Sequence, residues 1–188
     1  MAKTAPKRIV LGSGKLYVQT FTGTVPEDIK TICTEENQLG YISGGATLEY
    51  TPEFYEAKDD LGFVNKQIIT NEEVLLKSGI MTFNGNTLQK LCSTARVTED
   101  PIKKLRIVKI GGIGNRDDSK YIIVFHHEDK IDGDIFVVIV GQNQSGFSLA
   151  FAKDAETVID AEFKALAQDS EGTLIQYIEE DQSITAGE

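Results

Sequence analysis

The stretch that decides the fold is Ala46–Phe83, ATLEYTPEFYEAKDDLGFVNKQIITNEEVLLKSGIMTF. Ala46, Leu48 and Tyr50 alternate with Thr47, Glu49 and Thr51. That is period 2, the signature of a strand whose side chains point to opposite faces in turn. The extended run continues through Pro52 to Phe54, Tyr55 and Ala57. Asp59-Asp60-Leu61-Gly62 has turn chemistry. A second run starts at Phe63, reaches Thr70, and continues past Asn71-Glu72-Glu73 into Val74–Phe83. Together these predict a long antiparallel hairpin with an excursion at its tip. Proline donates no ladder hydrogen bond, so Pro52 implies an edge, a bulge or a kink in the first strand.

Outward from the hairpin the chain stays β-rich. Upstream, Ser43-Gly44-Gly45 is a breaker. Ile9–Leu11 and Lys15–Thr20 are predicted short strands around a Gly12-Ser13-Gly14 turn. Val25–Thr34 has proline near a helix start with acids behind it, which predicts a short helix. Downstream, Asn84-Gly85-Asn86 is a turn and Asn86 a suitable N-cap for a helix over 87–93. Leu88, Leu91 and Cys92 fall on one face of that helix. Leu105–Ile110 is a predicted strand. Tyr121–Phe125 and Ile135–Val140 are continuously apolar, which predicts a hairpin buried on both faces. Phe147, Leu149 and Phe151 alternate with small residues, and 157–166 alternates as well. Leu174–Ile178 is the last predicted strand. Many short strands plus one clear helix give a mainly β fold: two packed antiparallel sheets, a β-sandwich or barrel, with one flanking α-helix. The organisation expected is a flexible basic N-terminal arm (1–8), one β domain (9–178) and an acidic C-terminal tail (179–188).

The 188 residues carry a net charge of −10, and its distribution is uneven. From Asp154 to Glu188 there are 10 acids and one base, Lys164. The first eight residues carry Lys3, Lys7 and Arg8 and no acid. The two ends therefore differ in sign, which suggests axial contact arms made of Lys3, Lys7 and Arg8 against Glu179, Glu180 and Asp181. Net negative charge argues against affinity for duplex DNA, which rests on basic residues displacing counterions. Two cysteines, Cys33 and Cys92, supply neither a disulfide framework nor a metal motif and read as reduced thiols. The start has no apolar stretch behind its bases, so it does not read as a signal peptide, and no apolar run is long enough to span a bilayer.

Motifs that carry chemistry are weak. Gly12-Ser13-Gly14-Lys15 lacks the glycine spacing of a phosphate loop, and Leu16 stands where Ser or Thr belongs. Gly111-Gly112-Ile113-Gly114 follows a strand but leads to no helix. His126-His127-Glu128-Asp129 with Asp132 and Asp134 is the one cluster with ligand chemistry. Adjacent strand residues face opposite ways, so the two imidazoles are poorly placed for one ion. Neither an enzyme activity nor a cofactor nor a metal site is predicted.

The segment Ser43–Asp60 (SGGATLEYTPEFYEAKDD), then Val74–Arg96 with its FNGNTL turn, resembles the tail tube proteins of tailed bacteriophages with long non-contractile tails. Val140–Lys164 (VGQNQSGFSLAFAKDAETVIDAEFK) and Glu171–Tyr177 (EGTLIQY) resemble the C-terminal half of such proteins. The resemblance covers about residues 9–178. It implies six subunits per ring, one inner sheet from each joining a continuous barrel, and rings stacked into a tube. It implies a virion location, assembly in the host bacterial cytoplasm without membrane insertion, and DNA passing the lumen during ejection without specific binding. The implied partners are other copies of the chain, a tail terminator, a tape measure and baseplate or initiator proteins. Phosphates must slide, so lumen-facing side chains are expected to be acidic or neutral.

Within that frame the candidate ring-stacking hairpin comprises Phe54, Tyr55, Lys58, Asp59, Asp60 and Phe63. Candidate inter-subunit or inner-sheet residues are Leu48, Tyr50, Ile68, Leu76, Ile123 and Val137. Three other readings stand beside it: the inner tube of a contractile tail or injection machine, a monomeric β-sandwich module binding sugar or peptide, and a metal-dependent enzyme using His126 or His127.

Overall fold

The computed structural model describes residues 8–181 and 184. Among these residues there are ten strands: β1 (Lys15–Thr20), β2 (Gln38–Gly40), β3 (Ile42–Lys58), β4 (Asn65–Ile80), β5 (Arg96–Asp100), β6 (Leu105–Lys109), β7 (Tyr121–His127), β8 (Ile135–Asn143), β9 (Ile159–Leu166) and β10 (Gln176–Glu179). One α-helix, α1 (Gly85–Leu91), sits between β4 and β5. The fold is mainly β and antiparallel. Eight strands form one sheet in the order β2-β1-β7-β8-β9-β4-β3, with β10 also on β8, and β5 and β6 form a separate two-stranded sheet.

The two ends of that order, β2 and β3, are successive parts of one extended segment separated only by Tyr41. Tyr41 donates its N–H to Thr82 Oγ1 at 2.7 Å and accepts from Met81 N–H at 2.8 Å. The chain thus passes from β1 to β4 at this point and closes the sheet into a flattened, sandwich-like barrel. The outer edge of β3 has no hydrogen-bonded strand beside it among the described residues.

Two cores follow. Inside the barrel, Leu16, Val18, Leu76, Ile123, Ile139 and Phe163 pack together, with Leu91 of α1 beside them. On the other face of β1, β7 and β8, Tyr17, Ile122, Val124, Phe136, Val138 and Val140 pack under Ile29 and Ile32. The β7–β8 hairpin is therefore buried on both faces, and its own chain provides both covers.

Several local expectations change. The helix expected over 25–34 contracts to a 3-10 turn, Ile29–Thr31, capped by Asp28 Oδ1 accepting Lys30 N–H at 3.0 Å. Residues three apart eclipse in such a turn, which is the spacing that sends Ile29 and Ile32 into the same core. The helix begins two residues earlier than expected. Asn84, not Asn86, is the N-cap: its Oδ1 accepts from Asn86 and Thr87 N–H, and Thr87 Oγ1 accepts from Asn84 N–H. At the tip of the long hairpin, residues 59–64 lie outside both strands. Its register shifts by one residue where Glu53 stands opposite Asn71 and Phe54 opposite Ile69, so the bulged residue is Thr70 on β4. Ile9–Leu11 forms no strand. The alternating stretch around Phe147–Phe151 is irregular too: Phe147 and Leu149 pack on the inner core, but Phe151 is exposed.

Candidate interaction site: the β3–β4 ribbon

β4 pairs with β9 only from Leu75 to Ile80. Beyond that point β3 and β4 pair with each other alone, from Tyr50 opposite Val74 out to Lys58 opposite Asn65. The nine residues Tyr50–Lys58 project roughly 25 Å at ~3.3 Å per residue. An isolated two-stranded ribbon is marginal in water. Among the described residues it also leaves the outer edges of both strands without a neighbouring strand.

The ribbon is apolar on both faces. Opposed residues share a face, so Phe54 lies with Ile69 and Tyr55 with Ile68 on opposite sides. All four are exposed, as are Leu61, Val64 and Phe63 at the tip, the last at 83%. Its shape is fixed by local hydrogen bonds. Asp59 Oδ1 accepts Val64 N–H at 2.7 Å, Asp59 Oδ2 accepts Leu61 N–H, and Gly62 takes φ +72°. The bond from Val64 N–H holds the Asp59 carboxyl below its usual range. Tyr50 Oη donates to Glu72 at 2.7 Å, and that carboxylate acceptor raises the phenol pKa. Lys58 pairs with Glu56 at 3.0 Å, and Asp60 is exposed at the tip.

The other residues singled out from the sequence divide sharply. Leu48, Tyr50 and Ile68 are exposed on the ribbon and its root. Leu76 and Ile123 are fully inside the barrel core, and Val137 is buried on β8 between Phe125 of β7 and Tyr177 of β10. Those three serve the subunit's own packing and present no surface to a partner.

Of the expected axial-arm residues, Arg8, Glu179, Glu180 and Asp181 lie within the described residues. Arg8 Nη2 donates to Gly133 O in the β7–β8 turn. Glu180 accepts from Asp134 N–H at 3.0 Å, pairs with Lys30 at 2.5 Å, and packs on Gly133. Glu179 ends β10, with Asp181 after it. Arg8 and Glu180 therefore meet at one turn. Lys3 and Lys7 lie outside the described residues.

The histidines have separate tasks. His126 Nε2 bonds Asp134 Oδ2 at 2.9 Å, and its ring stacks on Phe136 at 4.3 Å. His127 Nδ1 donates to Ser13 O at 2.8 Å. Among the described residues no group of three or more His, Cys, Asp or Glu is arranged to hold a metal ion. Gly14 packs against the His126 carbonyl and the Phe125 ring, so the Gly12–Gly14 turn is a close approach of backbone to β7. Cys33, half-buried, has its thiol pushed up to about 11 by burial.

Sequence reading missed the aliphatic partners Ile69, Leu61 and Val64, although the doublet Ile68-Ile69 places an apolar residue on each face. It also missed the exposed face of β5–β6. No helix among the described residues is long and apolar enough to cross a membrane. No protein-family model matches the chain, and no curated protein does either.

Proposed function

We propose that this chain is a self-assembling structural subunit, the tail tube protein of a tailed bacteriophage, stacking as rings into the conduit for DNA. The observation that carries the reading is the ribbon. A closed barrel has buried its own strands, yet a two-stranded arm projects from it with aromatic and aliphatic side chains on both faces. Scattered apolar residues on a surface need no explanation, but a contiguous apolar patch does. Aromatic residues dominate interface energetics, and the ribbon exposes Tyr50, Phe54, Tyr55 and Phe63. A contact between unlike patches of identical subunits propagates along an axis unless it closes. The resemblance to tube proteins supplies the specific form of that propagation.

The test compares the full chain with a variant in which Tyr50 is joined to Val74 through an Asn-Gly turn. The full chain, concentrated and negatively stained, is expected to show hollow tubes or six-fold rings. The shortened chain is expected to remain a folded monomer. Identical monomeric sedimentation of both chains at about millimolar concentration would contradict the proposal.

A further inference from the structure

We propose that the outward face of the β5–β6 hairpin is the seat that receives the β3–β4 ribbon of a neighbouring copy. This rests on the tube-subunit reading and adds the identity of the surface opposite the ribbon.

The small sheet has two unlike faces. Arg106 and Val108 pack over Gly85 at the start of α1, and Val97, opposite Val108, shares that sheltered side. The alternate residues point away. Arg96 lies opposite Lys109, Thr98 opposite Ile107 and Asp100 opposite Leu105, and Leu105 and Ile107 are both exposed. Ile102 in the turn and Ile113 just beyond β6 are each 93% exposed. The result is an aliphatic platform rimmed by bases. Lys104 and Lys109 make no ion pair among the described residues.

The ribbon is its complement in both respects. From Glu49 to Glu73 there are seven acids and two bases, and from Arg96 to Arg116 six bases and two acids. The ribbon presents aromatic rings, and the platform presents aliphatic side chains on which rings can pack. Opposite fields steer encounter and fix register, while the buried apolar centre holds the contact. Nucleic acid fits the platform less well. No aromatic residue lies between Arg96 and Arg116 to stack a base.

The test is a charge swap in the full chain. A platform variant carries Lys104→Glu and Lys109→Glu, and a ribbon variant carries Glu53→Lys and Asp60→Lys. All four side chains are exposed, so both variants are expected to keep the wild-type melting temperature. Each alone is expected to raise the critical concentration for assembly about tenfold or more, and an equimolar mixture to return it to near wild type. The mixture works because each variant's altered patch meets the other's altered patch, and the intact patches meet each other. Wild-type assembly by the platform variant overturns the seat while leaving the tube reading standing. A mixture that stays dispersed, with both variants folded, overturns the pairing of these two surfaces. A gel shift with a DNA oligonucleotide that disappears in the platform variant assigns the platform to nucleic acid and overturns the proposal. A wild-type chain that never self-associates removes the seat and the tube reading together.

Discussion

β7–β8 and β3–β4 are both antiparallel hairpins, and they meet opposite fates. β7–β8 has neighbours on both edges and covers on both faces: β1 on one side, β9 and β10 on the other, and an apolar core above and below. Outer β3–β4 has neither. Both runs are apolar enough to form strands, so hydrophobicity alone does not separate them. What separates them is charge spacing. Tyr121–Phe125 and Ile135–Val140 contain no charged residue, whereas acids recur along β3 at Glu49, Glu53 and Glu56. Those acids keep the ribbon out of its own core, and the aromatics between them give it a use at an interface.

Stability measurements test the contrast most strongly at matched phenylalanines. Phe163 is fully buried in the inner core. Phe163→Ala is expected to cost about 3–5 kcal/mol in urea unfolding of the monomer. Phe54→Ala on the ribbon is expected to change it by less than about 0.5 kcal/mol. Equal losses would mean that the ribbon is part of the folding unit. Gly141 gives the next largest effect. It lies in β8 between Tyr121 and Ala165, and a Cβ there would collide with the Lys164 carbonyl. Gly141→Ala is expected to cost about 1–3 kcal/mol globally, because backbone must move.

Gly62 sharpens the comparison from the other side. It holds φ +72° at the ribbon tip with open space around it. Gly62→Ala is expected to strain only the turn, by about 1 kcal/mol, visible as faster amide exchange from Asn65 to Ile69 without a shift in the global melt. The smallest effect is that of pH. Hydrogen bonds from Val64 N–H and other tip amides lower the Asp59 pKa. A depressed carboxylate contributes order that is fully present above its unfolded value, about 3.9, and is lost as pH falls through the folded one. Backbone NMR is expected to show the tip loosening below about pH 4 while β7 and β8 stay unchanged. A tip equally ordered at low pH would show that Asp59 does not hold the turn.

The long hairpin was legible from period 2 flanked by an Asp-Asp-Leu-Gly turn, and the doubly buried hairpin from two uncharged apolar runs. The bulge at Thr70 was not. Strand periodicity cannot count residues across a ladder, and only the pairing of Phe54 with Ile69 reveals the extra one. The cap at Asn84 was missed because two asparagines flank Gly85, and the choice depended on which amide groups needed an acceptor.

By itself the sequence determined the mainly β class, the two hairpins and the acidic character of the C-terminal region, because periodicity and charge are local properties of the chain. Tertiary structure alone decided three things. Closure of the barrel depends on Tyr41 bonding to Thr82 across a distance in sequence that no local pattern encodes. The meeting of Arg8 and Glu180 at Gly133 depends on β10 pairing with β8. The point along β4 at which core gives way to ribbon depends on where β9 stops pairing with it: burial belongs to neighbours in space, and those are set only when the whole sheet has formed.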